Sequence, residues 1–133
     1  TRLEFIEYYL STKINTPSLV IIDGIADLVS DVNSLEESNA VVQKLMEWSA
    51  KYNCHIYFNI HQNYGSAKMT GHLGSFLEKK CETHIELEAN TVNKEWVTVK
   101  CKRSRGYAFE TFSFQVNDLG LPTIVGNLYD PLK

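Results

Sequence analysis

Asp23 ends the apolar run Leu19-Val20-Ile21-Ile22. A carboxylate in that position can hold the magnesium ion of a bound nucleotide, directly or through water. The run has no polar alternation, so it is expected to be a parallel strand covered on both faces. Asp23 then falls at the strand's carboxyl end, where open α/β sheets form their ligand crevices. A second apolar stretch, CHIYFNI at 54–60, leads into His61-Gln62-Asn63. Polar residues at neighbouring parallel strand tips converge on one crevice, and an imidazole or amide there can sense a γ-phosphate. The same side chains can instead satisfy loop backbone groups. A third group is basic: the segment KCKRSRG carries Lys100, Lys102, Arg103 and Arg105 with no acid among them. Arginine's planar fork matches phosphate oxygens bidentately, whereas lysine acts as a point charge. A solvated hairpin end is the plainer reading of the same run.

Helices and strands must bring these groups together. Residues 3–13 read as an amphipathic helix closed by the turn formers Asn15 and Pro17, with Phe5, Tyr8 and Tyr9 as packing residues. A strand over 18–23 follows. Ser34-x-x-Glu37 is a capping box opening a helix to about Tyr52, with Val41, Val42, Leu45, Met46 and Trp48 on its apolar face. After the strand at 54–60 come a polar, glycine-containing loop over 61–74 and a short helix near 75–80. Lys68 is the loop's strongest phosphate-binding candidate. THIELEA, 83–89, reads as a third strand. EWVTVKCK (95–102) and FETFSFQV (109–116) alternate apolar and polar residues around the short connection SRGY, the pattern of an antiparallel hairpin. The order β-α-β-α-β plus hairpin predicts an α/β fold with one mixed sheet, and the tail 117–133 is expected to be extended and irregular.

At 133 residues, 44% of them hydrophobic and 22% charged, the chain has the size of one domain at most and an ordinary globular composition. A net charge of -3 argues against a protein that coats nucleic acid, without excluding a local basic patch. No apolar run approaches the roughly 20 residues of a membrane span, so no membrane partner is expected. Cys54, Cys81 and Cys101 lie far apart and odd in number, which reads as reduced, buried thiols in a cytoplasmic protein. His55, His72 and His84 show no metal spacing, and Asp27 and Asp31 can be plain loop carboxylates. Trp96 and Tyr107, beside basic residues, have the better aromatic claim to a ligand. The chain begins TRLEFIEYYL, inside a helical pattern, and so reads as a piece of a longer protein.

Taken in order, LVIIDGIADLVSDVN, a capped helix, IHQN, a Gly/Ser loop, a further strand and KCKRSRG before a last strand resemble the C-terminal half of a RecA-like P-loop ATPase core. The likeness spans roughly residues 17 to 116. It is nearest the hexameric replicative-helicase and plasmid RepA-type branch, including proteins of bacterial mobile elements. The Asp23 strand, Asp31-x-Asn33 and the basic segment are its better markers.

The resemblance implies ATP and Mg²⁺ as cofactors, single-stranded DNA as a partner, and a homo-oligomeric ring or filament. Asp23 would be the Walker B carboxylate and metal contact, with His61 and Gln62 at the sensor position. Asp31, Asn33 and Lys102 would lie at the nucleotide. Arg105, then Arg103, would reach the neighbouring subunit's γ-phosphate, while Lys68 and Asn63 would face nucleic acid. One departure is large. The G-x-x-x-x-G-K-[ST] phosphate loop is missing from these residues, and GSAKMTGHLG has its glycines and lysine in the wrong order. That loop and the usual catalytic glutamate would lie upstream, and the chain by itself is not expected to hydrolyse ATP. Two rivals remain open. One is a RecA-like nucleic-acid-binding or regulatory protein that uses nucleotide only for assembly; the other is a receiver-like signalling domain, which the terminal hairpin fits badly.

Overall fold

Ser34 starts the longest helix, as its capping box predicts. In the computed structural model, which describes residues 1–12, 17–63, 65 and 68–125, the Ser34 hydroxyl accepts the Glu37 N–H at 3.2 Å. Helix α2 then runs Leu35–Tyr52, until Asn53 closes it in the left-handed region at φ 49°. The Glu37 carboxylate does not return to Ser34. It accepts from the Ser30 N–H at 2.6 Å and the Ser30 hydroxyl at 2.5 Å, gathering the preceding loop.

The chain divides into two compact units, Thr1–Lys80 and Cys81–Lys133. The first contains α1 (Arg2–Thr12), β1 (Leu19–Ile22), a single 3₁₀ turn (Ile25–Leu28), α2, β2 (His55–Phe58) and α3 (Gly71–Lys80). Strands β1 and β2 pair in parallel, Leu19 opposite His55 and Ile22 opposite Phe58. Its core gathers Leu10, Ile22, Ile25, Val41, Leu45, Trp48, Leu73 and Leu77. Val41, Leu45 and Trp48 follow the i, i+4, i+7 spacing of one helix face. Met46, one residue past Leu45 and about 100° round the axis, is exposed rather than part of that face.

Three further expectations change in this unit. Val20, Ile22, Ile56 and Phe58 meet the helical core, but Leu19, Ile21 and Tyr57 on the other face are 54%, 63% and 50% exposed. The apolar run therefore does not mean cover on both faces. Helix α1 packs through Leu3, Ile6 and Leu10, at i, i+3 and i+7, which turns Phe5, Tyr8 and Tyr9 outward. Lys44 ties α1 to α2 through Glu7 at 3.1 Å and also reaches Glu47 at 3.3 Å. Those two carboxylates, Glu7 first, hold its ammonium above the ordinary lysine range.

Helix α3 begins at Gly71, four residues ahead of expectation, because the glycines that weaken the helical pattern are contact positions. Gly71 has φ 66°, and a Cβ there would lie 2.5 Å from the Val32 carbonyl oxygen. A Cβ on Gly74 would lie 2.4 Å from Met69 Cβ. The Leu73 N–H bonds the Val32 carbonyl at 3.0 Å, so the start of α3 is pinned to the loop before α2. Gly71→Ala is expected to lower stability by about 2–3 kcal/mol, the sum of left-handed strain and the clash. Gly65 has φ 69° with nothing nearby, and Gly65→Ala should cost only about 1 kcal/mol. Urea unfolding of the two variants measures the difference.

The second unit is an antiparallel meander, β3 (Thr83–Ala89), β4 (Trp96–Ser104), β5 (Phe112–Val116) and β6 (Pro122–Val125). The strands thus form two sheets rather than one mixed sheet. The polar alternation of THIELEA suits a hairpin partner, and β4 supplies it: Glu86 lies opposite Lys100 and Leu87 opposite Val99. The connection from β4 to β5 is longer than SRGY. Strand β6 occupies part of the tail expected to be irregular, since Asn117 organises a tight turn. Its Oδ1 accepts the N–H groups of Leu119 and Leu121, both at 3.0 Å, and Gly120 supplies φ 76°. The proposed turn at Asn15 and the tail beyond Val125 lie outside the described residues. Among those residues no helix is long and apolar enough to cross a membrane.

Candidate functional site

Strand β1 stops at Ile22 and delivers Asp23, exposed, at its carboxyl end. Because β2 stops at Phe58 in register with Ile22, the neighbouring strand tip is Asn59. Its carboxamide donates to Asp23 Oδ1 at 2.5 Å. The backbone joins the same two tips, with the Asn59 N–H donating to Ile22 O at 3.4 Å and the Ile25 N–H to Asn59 O at 3.0 Å. Gly24 makes this approach possible, since a Cβ there would sit 2.8 Å from Asn59 Oδ1. Beyond it, fully buried Ile25 anchors the 3₁₀ turn. An open hollow of about 600 Å³ lies beside Asp23, walled by Phe5, Ile6, Ile22, Gly24 and Leu28. Asp27, on the same wall, is paired with Arg2 at 2.8 Å.

His61 and Gln62 lie two and three residues beyond that tip. They open a short antiparallel excursion in which Gln62 pairs with Met69. The Thr70 hydroxyl donates to His61 O at 2.8 Å and the Asn63 N–H to Lys68 O at 2.9 Å. Lys68 and Asn63 are both exposed on it. Within the loop expected over 61–74, the described residues on either side, 61–63 and 68–70, bond to one another, and Gly71 opens α3. Sequence reasoning missed Asn59 because the strand was carried through Ile60, which put His61 at the tip. The pairing of two equally terminated strands is the signal that places Asn59 beside Asp23.

Asp31 and Asn33 shape the loop entering α2. Asp31 Oδ1 accepts the Asn33 N–H at 2.8 Å, an Asx turn. Glu37 holds the other side of the loop, also accepting the Asp31 N–H at 3.3 Å. The Ser30 hydroxyl, followed by the Ser30 and Asp31 amides, keeps the Glu37 carboxyl below the usual carboxylate range.

In the basic segment, acids absent from the run itself come from β3. Lys100 pairs with Glu88, and Lys102 with the buried Glu86 carboxylate at 2.9 Å. Lys102 is the extra residue of a β-bulge between the His84–Arg103 and Ile85–Cys101 pairs, and two residues past Lys100 it shares that residue's face of β4. This corrects the picture of four mutually repelling cations and leaves Lys102 committed within its sheet. Arg103, opposite His84, and Arg105, just past the strand, are exposed. The Arg105 N–H is anchored on Glu82 O at 3.0 Å, and the Gly106 N–H on Ser104 Oγ at 3.1 Å. Tyr107 is fully exposed, whereas the Trp96 indole N–H is taken by Gln115 at 3.2 Å.

Cys54, Cys81 and Cys101 are free thiols, but only Cys54 is buried as expected, the other two being half-buried, and burial pushes the Cys54 thiol up. Among the described residues no three His, Cys, Asp or Glu side chains gather as a metal cage. No protein-family model matches the chain, and no curated protein matches it.

Proposed function

We propose that the chain is the C-terminal part of a RecA-like ATPase core, belonging to a DNA helicase, replication or mobilisation protein of a bacterial mobile element. The observation that carries this reading is the pair of adjoining parallel strand tips that presents the exposed Asp23 carboxylate beside Asn59. A single carboxylate without a surrounding cage suits magnesium, which is commonly bound by one or two carboxylates, substrate phosphates and water. Bound there with ATP, the ion would neutralise charge on the phosphate oxygens.

The chain's own residues then divide the remaining work. Asp23 holds the ion, and His61 with Gln62 lies just beyond the tip in position to report the γ-phosphate. Asp31 and Asn33, joined in the turn before α2, would lie at the nucleotide. Arg103 and Arg105 complete the neighbouring subunit's site in a ring or filament, while Lys102 keeps its sheet partner Glu86. The phosphate loop would come from the segment upstream. The test is ATP turnover of the full-length protein with magnesium, with and without single-stranded DNA. DNA-stimulated turnover supports the motor. Assembly on ATP without turnover supports nucleotide as an assembly ligand, and no nucleotide binding removes both readings.

The excursion carrying Lys68 and Asn63 is the proposed contact to single-stranded DNA. Lys68→Ala should weaken DNA binding uniformly across sequences and reduce the slope of log affinity against log salt by about one phosphate contact, roughly 0.7. Titrations at several salt concentrations check this, and an unchanged slope removes the excursion from the DNA contact.

A further inference from the structure

We propose that Asn59 is a positioning residue that limits Asp23 to one oxygen for the cation, and so favours magnesium over calcium. The inference rests on the magnesium–nucleotide reading of Asp23. Asn59 is exposed, yet its backbone is bonded on both sides, to Ile22 O and from the Ile25 N–H. Its Oδ1 lies against Gly24, where a Cβ would sit 2.8 Å away and push the carboxamide aside. These contacts aim Nδ2 at Asp23 Oδ1. An oxygen already accepting this bond is a poorer metal ligand, and a cation closing on both oxygens would have to displace the amide. Oδ2 is left to meet the ion or a water upon it.

The two biological divalent ions respond differently to that restriction. Calcium takes about six to eight oxygens and readily grips a carboxylate through both. Magnesium takes about six in a near-ideal octahedron and keeps several waters, so one carboxylate oxygen suffices. Gly24 and Asn59 thus act together: the glycine admits the carboxamide, and the carboxamide sets how many oxygens Asp23 offers.

The test is titration of the full-length protein with a fluorescent ATP analogue, in magnesium and separately in calcium. Wild type should bind more tightly in magnesium. Asn59→Ala and Asn59→Leu both remove the donor, and leucine nearly preserves the volume. Each should lower the magnesium-to-calcium affinity ratio by about tenfold, the scale of one hydrogen bond to a charged group. A purely structural role would weaken binding equally in both ions. A ratio unchanged in variants with native circular dichroism overturns the inference. So does wild-type binding that needs a divalent ion but takes calcium as well as magnesium, a result independent of how the variants fold. Wild-type nucleotide binding indifferent to divalent ions overturns the underlying reading of Asp23 as well.

Discussion

Asp23→Asn in the full-length protein is expected to lower ATP turnover by about a hundredfold or more, ~3 kcal/mol of transition-state stabilisation. The substitution keeps the side chain's shape. An amide oxygen can still accept the bond that Asn59 donates to Oδ1, so the two strand tips should stay joined. What disappears is the negative charge at the carboxyl end of β1. Asp23 is exposed and belongs to no ion pair among the described contacts, so its charge has little work to do in holding the fold. A steady-state turnover assay beside a urea unfolding curve separates the two effects. Loss of turnover at an unchanged unfolding midpoint is the expected result. Unchanged turnover would make Asp23 an ordinary strand-end residue and remove its role as the magnesium carboxylate.

The parts of this fold that were legible in sequence are those set by local chemistry. Thr83–Ala89 has the predicted boundaries because strict alternation specifies a strand with one polar face. Ser34 caps α2 because its hydroxyl needs only the N–H three residues on. The parts that were not legible depend on residues distant in sequence. Lys102 looks like one of a run of four cations until the pairing of β3 with β4 sets Glu86, sixteen positions earlier, beside it. Gly71 looks like a helix breaker until the Val32 carbonyl is found where its side chain would be. Sheet membership has the same character: THIELEA reads as the third strand of the β-α-β-α-β run, yet it is the first strand of the meander. The Glu–Lys pairs that decide it appear only when β3 and β4 are set side by side.

For the candidate site, Asp23 could be read from its strand alone, while Asn59 required the register of two strands. The apolar pattern runs on to Ile60, whereas the strand itself ends at Phe58. A shift of two residues at the tip changes which side chain meets the carboxylate, and strand ends are where sequence patterns are least sharp.

Arg105→Ala is expected to leave ATP binding intact and to reduce turnover by about a thousandfold or more, the scale of losing an arginine that stabilises transferred phosphate. Of the four cations in this run, the two arginines carry the planar guanidinium that matches phosphate oxygens. Arg103 still lies within β4, opposite His84, and its direction is set by the strand. Arg105 follows the strand's end, with its backbone N–H fixed on Glu82 and an exposed side chain beside Gly106. A fixed backbone carrying a long, projecting guanidinium suits reach toward a separate subunit, and the planar fork suits phosphate oxygens. Subunit mixing tests action across the interface. Arg105→Ala and Asp23→Asn proteins are each inactive alone, but a mixed assembly contains interfaces that join an intact Asp23 to an intact Arg105. Random equal mixing in a head-to-tail assembly makes about a quarter of the interfaces complete, so activity should recover toward that fraction of wild type. If Arg105 instead served its own subunit's site, every site would keep one lesion and no mixing ratio would restore turnover. Absence of recovery, with mixed assembly verified by mass, would therefore overturn the trans role of Arg105.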